Sequence, residues 1–254
     1  MDKAKNLLTA QALADILNLS VETIWRYTRA DRIPYVKLEG RQYRYNLGEV
    51  KQALSGVVKE KTPDFQTGPK TYTYQEYLAL PEIPGFRYEV LEGLLVKEPS
   101  PNLLHQRISR ELEYRLISYF KQVDPKGEIF DAPLDVTFHD ITVVQPDILY
   151  IAGNQLGIMQ ENRIDGAPNL TVEIISDSSL RRDRVEKLQI YQKAGVQHYW
   201  LVNPRDNTFE CFLLKDGLYS LIAIGTDDDV LEHPEFPGLA IPLAELWHDP
   251  TQQS

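Results

Sequence analysis

Two carboxylates and a lysine stand where chemistry is plausible. Gln145-Pro146-Asp147 opens an apolar run, and Thr171-Val172-Glu173-Ile174-Ile175-Ser176 holds Glu173 between apolar neighbours. Arg182-Asp183-Arg184-Val185-Glu186-Lys187 follows closely. A buried carboxylate is costly unless a cation or a hydrogen-bond donor meets it. A divalent metal is one such cation. It lowers the pKa of a bound water and touches a phosphate oxygen, the two needs of phosphodiester hydrolysis. Mg²⁺, or Mn²⁺ in its place, prefers oxygen ligands and takes only one or two protein carboxylates. Asp147 and Glu173 on neighbouring strands would suffice, with the Ile174 carbonyl as a third ligand. Lys187 would orient or activate the attacking water, or stabilise the developing charge.

Supporting groups follow from the same logic. Asp183 and Lys187 are four apart on a helix and share a face. Glu89 or Glu92, from an earlier hairpin, would add a carboxylate, and His105 would suit a place near a phosphate. Each has a plainer role in competition. Asp183–Lys187 reads equally as a weak surface pair, Glu173 as a satisfied buried carboxylate, Asp147 as a turn residue after Pro146, and His105 as a helix-start residue. A zinc site is not expected, since one cysteine and five histidines show no ligand spacing. No serine elbow or phosphate-cradling glycine loop is present either.

The elements that must position these groups fall in two parts. The 254 residues carry 27 Lys and Arg against 37 Asp and Glu, a net charge of −10. Residues 1–60 hold 10 of the bases and 7 of the acids, so the front is +3 and the remainder −13. An acidic body repels a polyanion over long range, so a separate basic module or a metal must hold DNA there. A lone Cys211 fits a reducing compartment. The N-terminus lacks a signal-peptide core and no run has membrane-spanning length, which predicts a cytoplasmic protein with no membrane partner.

The front reads as helices. Thr9 is placed to cap a first helix with Leu13, Ile16 and Leu17 on one face, and Ser20 to cap a second, Val21–Arg29. Ile24 with Tyr27 or Thr28 would face the first helix, leaving Thr23, Arg26 and Arg29 outward. Ile33–Leu38 and Arg41–Tyr45 alternate around Glu39-Gly40 as a hairpin wing, with Arg41 and Arg44 reaching backbone phosphates. Asn46 would cap a last helix with Val50 and Leu54. The expected assembly is a winged helix-turn-helix over residues 1–55 whose second helix enters a major groove, with Ser20, Thr23, Arg26, Arg29, Arg41 and Arg44 at the DNA. Leu8-Thr9, Ala12-Leu13-Ala14, Leu19 to Tyr27, Ile33-Pro34 and Arg41 to Tyr45 resemble excisionase and MerR-type DNA-binding domains. A helical docking module is the plainer alternative.

Residues 56–70 are rich in breakers and read as a linker. Beyond it, residues 71–250 form the second expected domain. Thr73-x-x-Glu76 is a capping box for a short helix that Pro81 ends. Arg87–Val96 is a hairpin turning at Glu92-Gly93. Leu103 to about Gln122 is a long helix with Leu104, Ile108, Leu112, Leu116 and Phe120 as its buried stripe. Strands are expected over Gly127–Phe138, Thr142–Ile151, Leu170–Ser176 and Tyr199–Val202. A helix over 180–194, capped by Ser178 or Ser179, stops at Gly195. Phe209–Leu214 and Leu218–Ile224 pair around Asp216-Gly217, and a short strand and helix close the chain. That order argues an α/β sandwich around a mixed sheet.

Many of these residues stand together in the order of a known family. Tyr88 to Gly93, Ser100-Pro101 with His105, Gln145-Pro146-Asp147, Gly166 to Leu170, Val172 to Ser176, Asp183 with Lys187, Tyr191, Ala194 to Val196, Tyr199 to Val202 and Pro237 to Leu239 resemble the Uma-two family of restriction-endonuclease-like proteins. The resemblance covers about residues 73–247. It implies the PD-(D/E)xK nuclease fold, Mg²⁺-dependent DNA cleavage, and Asp147 and Glu173 as the motif carboxylates. The motif's lysine belongs two residues after the second carboxylate, where this chain has Ile175, and the resemblance implies that Lys187 replaces it. The expectation is an endonuclease delivered to DNA by its front domain, for which a homodimer would suit duplex cleavage. The alternative is a non-cleaving regulator whose nuclease-like body serves dimerisation or sensing, as the acidic body favours.

Overall fold

A computed structural model describes residues 7–17, 21–29, 33–38, 42–54, 70–176 and 178–248. Contacts divide the chain into two compact units, Met1–Gln66 and Thr67–Ser254.

The first unit runs β1 (Leu7–Leu8), α1 (Ala10–Leu17), α2 (Val21–Arg29), β2 (Val36–Leu38), β3 (Gln42–Asn46) and α3 (Leu47–Leu54). Thr9 accepts the Ala12 amide at 3.1 Å and Asn46 that of Glu49 at 3.2 Å, so short polar side chains start both helices. Ala10, Leu13 and Ala14 form the buried stripe of α1, with Leu17 packed beside it. Ile16, expected on that face, is half exposed; the 3.6-residue period carries 10, 13, 14 and 17 inward and turns 16 away. Ile24 and Thr28 are the inward residues of α2. The Thr28 hydroxyl lies 2.8 Å from both the Ile24 carbonyl and the Tyr45 hydroxyl, tying α2 to the wing. Leu7-Leu8 adds an unexpected third strand, giving the order β1-β3-β2.

The second unit starts with α4 (Tyr74–Leu78), where the Thr73/Glu76 capping box is complete. The hairpin β4 (Phe86–Leu91) and β5 (Leu94–Pro99) turns on Glu92 and Gly93, both at positive φ. A two-residue turn fixes the register, so Arg87 lies opposite Glu98. The long helix α5 (Leu103–Val123) is capped by Asn102 and buries His105, Ile108, Leu112, Leu116 and Phe120. Leu104 is only partly buried; His105 takes the first place in the stripe.

Two runs expected as single strands are each divided between sheets. Gly127–Phe138 becomes β6 (Glu128–Asp131) and β7 (Val136–Thr137), and Thr142–Ile151 becomes β8 (Val143–Val144) and β9 (Ile148–Ile151). A five-stranded sheet has the order β10-β7-β8-β4-β5, with β10 at Ile164–Asp165. A six-stranded sheet has the order β14-β13-β12-β11-β9-β6, built also from β11 (Leu170–Ile174), β12 (His198–Asn203), β13 (Thr208–Lys215) and β14 (Leu218–Thr226). Between β8 and β9 lies Gln145-Pro146-Asp147, so Asp147 sits at the crossing from one sheet to the other. Proline cannot donate to a ladder, a reason for pairing to break there.

Both faces of the six-stranded sheet are covered. On one, Ile108, Leu112, Leu116 and Phe120 of α5 meet Val172 and Ile174 of β11 and Trp200 and Val202 of β12. On the other, Tyr199, Leu201 and Ile175 meet Ile190 and Tyr191 of α6 (Leu188–Ala194). Strand alternation therefore puts Glu173 on the α6 side. A π-helical turn, Arg182–Lys187, leads into α6, and Gly195 ends it in the left-handed conformation. A small pair, β15 (Val230–Glu232) with β16 (Ala240–Pro242), and α7 (Leu243–Trp247) complete the unit.

Candidate active site

Antiparallel pairing sets Ile148 of β9 opposite Val172 of β11. One step further, Asp147 faces Glu173, where the β9 strand begins. The Ile174 amide donates to Asp147 Oδ2 at 2.8 Å, which fixes the aspartate beside the second carboxylate. His105 Nε2 lies 3.1 Å from the same oxygen, held there by the start of α5. The Arg87 guanidinium reaches Asp147 Oδ1 at 3.4 Å and Glu98 Oε2 at 3.2 Å. Asp147 therefore spends both oxygens on donors. Burial pushes its carboxyl up, but the His105 hydrogen bond, Arg87 and the Ile174 amide outweigh burial and hold it below the ordinary range.

Glu173 belongs to a second cluster. Its Oε1 accepts from Lys187 Nζ at 3.0 Å and from the Tyr191 hydroxyl at 2.5 Å. Lys187 Nζ also lies 2.9 Å from Glu89 Oε1 and 3.9 Å from Asp183 Oδ1. Glu89 Oε1 takes the Gln145 amide at 2.7 Å as well, linking the hairpin to the Asp147 segment. Lys187 is wholly buried. Burial alone would lower its affinity for a proton, but Glu173, Glu89, Glu98 and Asp183 together raise it well above the usual lysine range. It is a fixed cation, and as such no acceptor for a water proton.

The charges do not balance. Five buried carboxylates, Glu89, Glu98, Asp147, Glu173 and Asp183, share Arg87, Lys187 and Arg182, the last paired with Glu98. The surplus shows in proton affinity. Burial raises Glu89 to about 7 and Asp183 to about 6 despite Lys187 beside both. Glu173 is raised well above its usual value by burial, with Asp183, Asp147 and Glu89 adding to it. Glu89 Oε2 and Asp183 Oδ1 are buried without a hydrogen-bond donor.

A cavity of about 370 Å³ opens onto this cluster. Asp147, Glu173, Ile174, Asp183, His105, Glu98 and Arg87 are on its wall, and Lys187 is not. Glu92 stands at the exposed hairpin turn, paired with Lys193, away from that wall. Among the described residues no three His, Cys, Asp or Glu side chains converge as a ready metal cage. An Mg²⁺ site does not require one, because carbonyl and water oxygens complete its shell. An oxygen-rich wall with surplus negative charge fits such an ion, and Asp183 on that wall has a buried Oδ1 without a hydrogen-bond donor.

The sequence reading missed Arg87, Glu98 and Arg182. The signal for the first two was present: alternation puts Arg87 and Glu89 on one face of β4, and the two-residue turn brings Glu98 opposite Arg87. In the first unit, Arg29 is exposed, and Thr23 and Arg44 are half-buried. The Arg44 guanidinium donates to the Tyr43 carbonyl at 3.0 Å. Ser20, Arg41, most of the 56–70 linker and the side chain of Arg26 lie outside the described residues.

Residues 74–244 match the family model Uma2, described as "Putative restriction endonuclease", and residues 7–56 match one described as "Helix-turn-helix domain". A crystal structure from Anabaena variabilis, described as a "putative nuclease belonging to DUF820", is similar in fold at 24% identity and TM-score 0.56. The alignment covers 69% of this chain and 97% of that one. No curated protein matches the chain. No helix among the described residues is long and apolar enough to cross a membrane.

Two outcomes test the cluster. Lys187→Met leaves Glu89 and Glu173 buried without their cation and should cost about 3–5 kcal/mol, read from urea unfolding. Glu89 binds its proton more tightly when folded, so its contribution is full below the unfolded carboxylate range and is lost as pH rises through about 7. The melting temperature of wild type should therefore fall relative to that of Glu89→Gln between pH 5 and pH 8. Parallel curves would refute the raised carboxyl.

Proposed function

The chain belongs to the Uma2 family of restriction-endonuclease-like proteins, and on that premise we propose that it is a divalent-metal-dependent DNA endonuclease directed by its helix-turn-helix domain. The observation that carries the proposal is the contact of Asp147 with the Ile174 amide, which sets two carboxylates side by side on a cavity wall. Asp147, Glu173 and the Ile174 carbonyl would hold Mg²⁺ or Mn²⁺. Bound there, the ion supplies an activated water and neutralises charge on the phosphate.

The remaining work belongs to the chain's own residues. Lys187 and the Tyr191 hydroxyl hold Glu173 Oε1 toward α6, so the carboxylate keeps one orientation. His105 and the Ile174 amide do the same for Asp147. Glu89 and Asp183 surround Lys187 and keep it charged against the desolvation that favours the neutral amine. Water adds to phosphorus and one P–O ester bond breaks. One water proton ends on the departing sugar oxygen and the other on the new phosphate monoester or in solvent. Delivery falls to the first unit, because the residues beyond 60 are strongly acidic.

A second reading is favoured by one observation: Asp147 and Glu173 already have protein donors, Arg87 and Lys187 among them. In it the body is a non-cleaving sensing or dimerisation module of a DNA-binding regulator.

Plasmid nicking with Mg²⁺ or Mn²⁺ separates the two. Wild type should cut, and Asp147→Ala and Glu173→Ala should lose at least about a hundredfold in rate. A wild type that cuts under no divalent ion leaves the regulator reading. Replacing Arg29 and Arg44 together with alanine should weaken duplex binding and flatten its salt dependence, with the helical circular-dichroism signal unchanged. Equal affinity would remove the helix-turn-helix from DNA delivery.

A further inference from the structure

Within the nuclease reading, the family motif expects a cation two residues after Glu173, and Ile175 stands there. Lys187 supplies charge nearby, but from behind. It is fully buried, encircled by Glu89, Glu173 and Asp183, and absent from the cavity wall. A substrate phosphate in the cavity would meet Glu173 before it met Lys187.

Among the described residues, two arginines border the cavity, Arg87 and Arg205. Arg205 is exposed, follows the end of β12, and borders a neighbouring cavity of about 280 Å³ as well. Arg87 touches a candidate metal ligand. Its guanidinium spans Asp147 Oδ1 and Glu98 Oε2, and its side chain is 17% exposed. Burial would favour the neutral form, but Asp147, Glu89 and Glu98 keep it charged. Its Nε is buried with no acceptor, so the planar fork has donor capacity left.

We propose that Arg87 is the cation that contacts the scissile phosphate, and that its ion pair with Asp147 competes with a divalent ion for that carboxylate. The proposal rests on the nuclease reading above. When a divalent ion takes Asp147, the guanidinium keeps Glu98 as its anchor and turns its free N–H groups to a non-bridging phosphate oxygen. A guanidinium suits that role because its fork matches two oxygens at once. No bond to Arg87 forms or breaks and its proton count is constant; it stabilises the charge that builds as water adds to phosphorus and an ester bond leaves. Lys187 is then a positioning residue that orients Glu173.

The two halves of the proposal predict opposite changes in one variant. In Arg87→Gln, a competing cation leaves Asp147 while the transition state loses a donor. Calorimetric titration of the full chain with Mn²⁺ alone should show tighter binding by severalfold. Plasmid cleavage at saturating Mn²⁺ should fall on the order of a hundredfold in kcat. Arg87→Lys, which keeps the charge and loses the fork, should fold and recover part of that loss. An unchanged kcat in either variant overturns the phosphate contact. Weaker Mn²⁺ binding together with lower kcat and a lower Tm in both overturns it too, since that is the mark of a structural residue. A wild type that does not cut removes the nuclease reading and the phosphate contact with it. The titration still reports separately whether Arg87 competes with a metal at Asp147.

Discussion

One ammonium group shared by buried carboxylates is the constraint on which the second unit depends. Lys187 Nζ holds Glu89 of β4, Glu173 of β11 and, more distantly, Asp183 of its own helix. Those elements come from the five-stranded sheet, the six-stranded sheet and the segment leading into α6. Taking each charge out of water costs several kcal/mol, which only good geometry offsets. The contact therefore adds little net stability, but it penalises any arrangement in which the three elements do not meet. Specificity of assembly, rather than strength, is what such a cluster contributes.

Under the proposed function, that cluster also reconciles an acidic body with phosphate chemistry. Its carboxylates are buried and held in excess over their cations, so the cavity has a standing demand for positive charge. Some of the demand is met by protons, as the raised Glu89 and Asp183 carboxyls show. A divalent ion would meet more of it and would change the sign of the field that an approaching phosphate encounters. Surface charge over the whole unit is then a poor guide to what its cavity attracts.

Much of this was legible in the sequence because local rules and burial agreed. The Thr73 capping box, the Glu92-Gly93 turn, the α5 stripe from Ile108 to Phe120 and the Gly195 stop are each set by a few neighbouring residues. So is the burial of Glu173, since Leu170–Ser176 is nearly all apolar on both sides of the strand alternation, the pattern of a strand covered on both faces. The two divided runs were not legible. Val136-Thr137 and Ile148–Ile151 are apolar in the same way, and nothing in that pattern says which sheet each joins. Arg87 was missed for a related reason: an arginine near a hairpin start looks solvated until the facing Glu98 and the distant Asp147 are both placed. His105 looked like an ordinary first-turn residue because its partner lies 42 positions away.

The π-helical turn at Arg182–Lys187 has a further consequence. Such a turn is wider than an α-helical one and takes up about one more residue. Residues of an α-helix are spaced by roughly 100° around the axis, so one residue more or less before Lys187 would aim its ammonium group at a different wall of the core. The extra residue also lets α6 keep its apolar contacts through Ile190 and Tyr191 while Asp183 and Lys187 both face inward. The turn thus works as a phase adjuster between two demands on one helix. A shortened segment that packs its apolar face as well as before would still leave the carboxylates facing no charge.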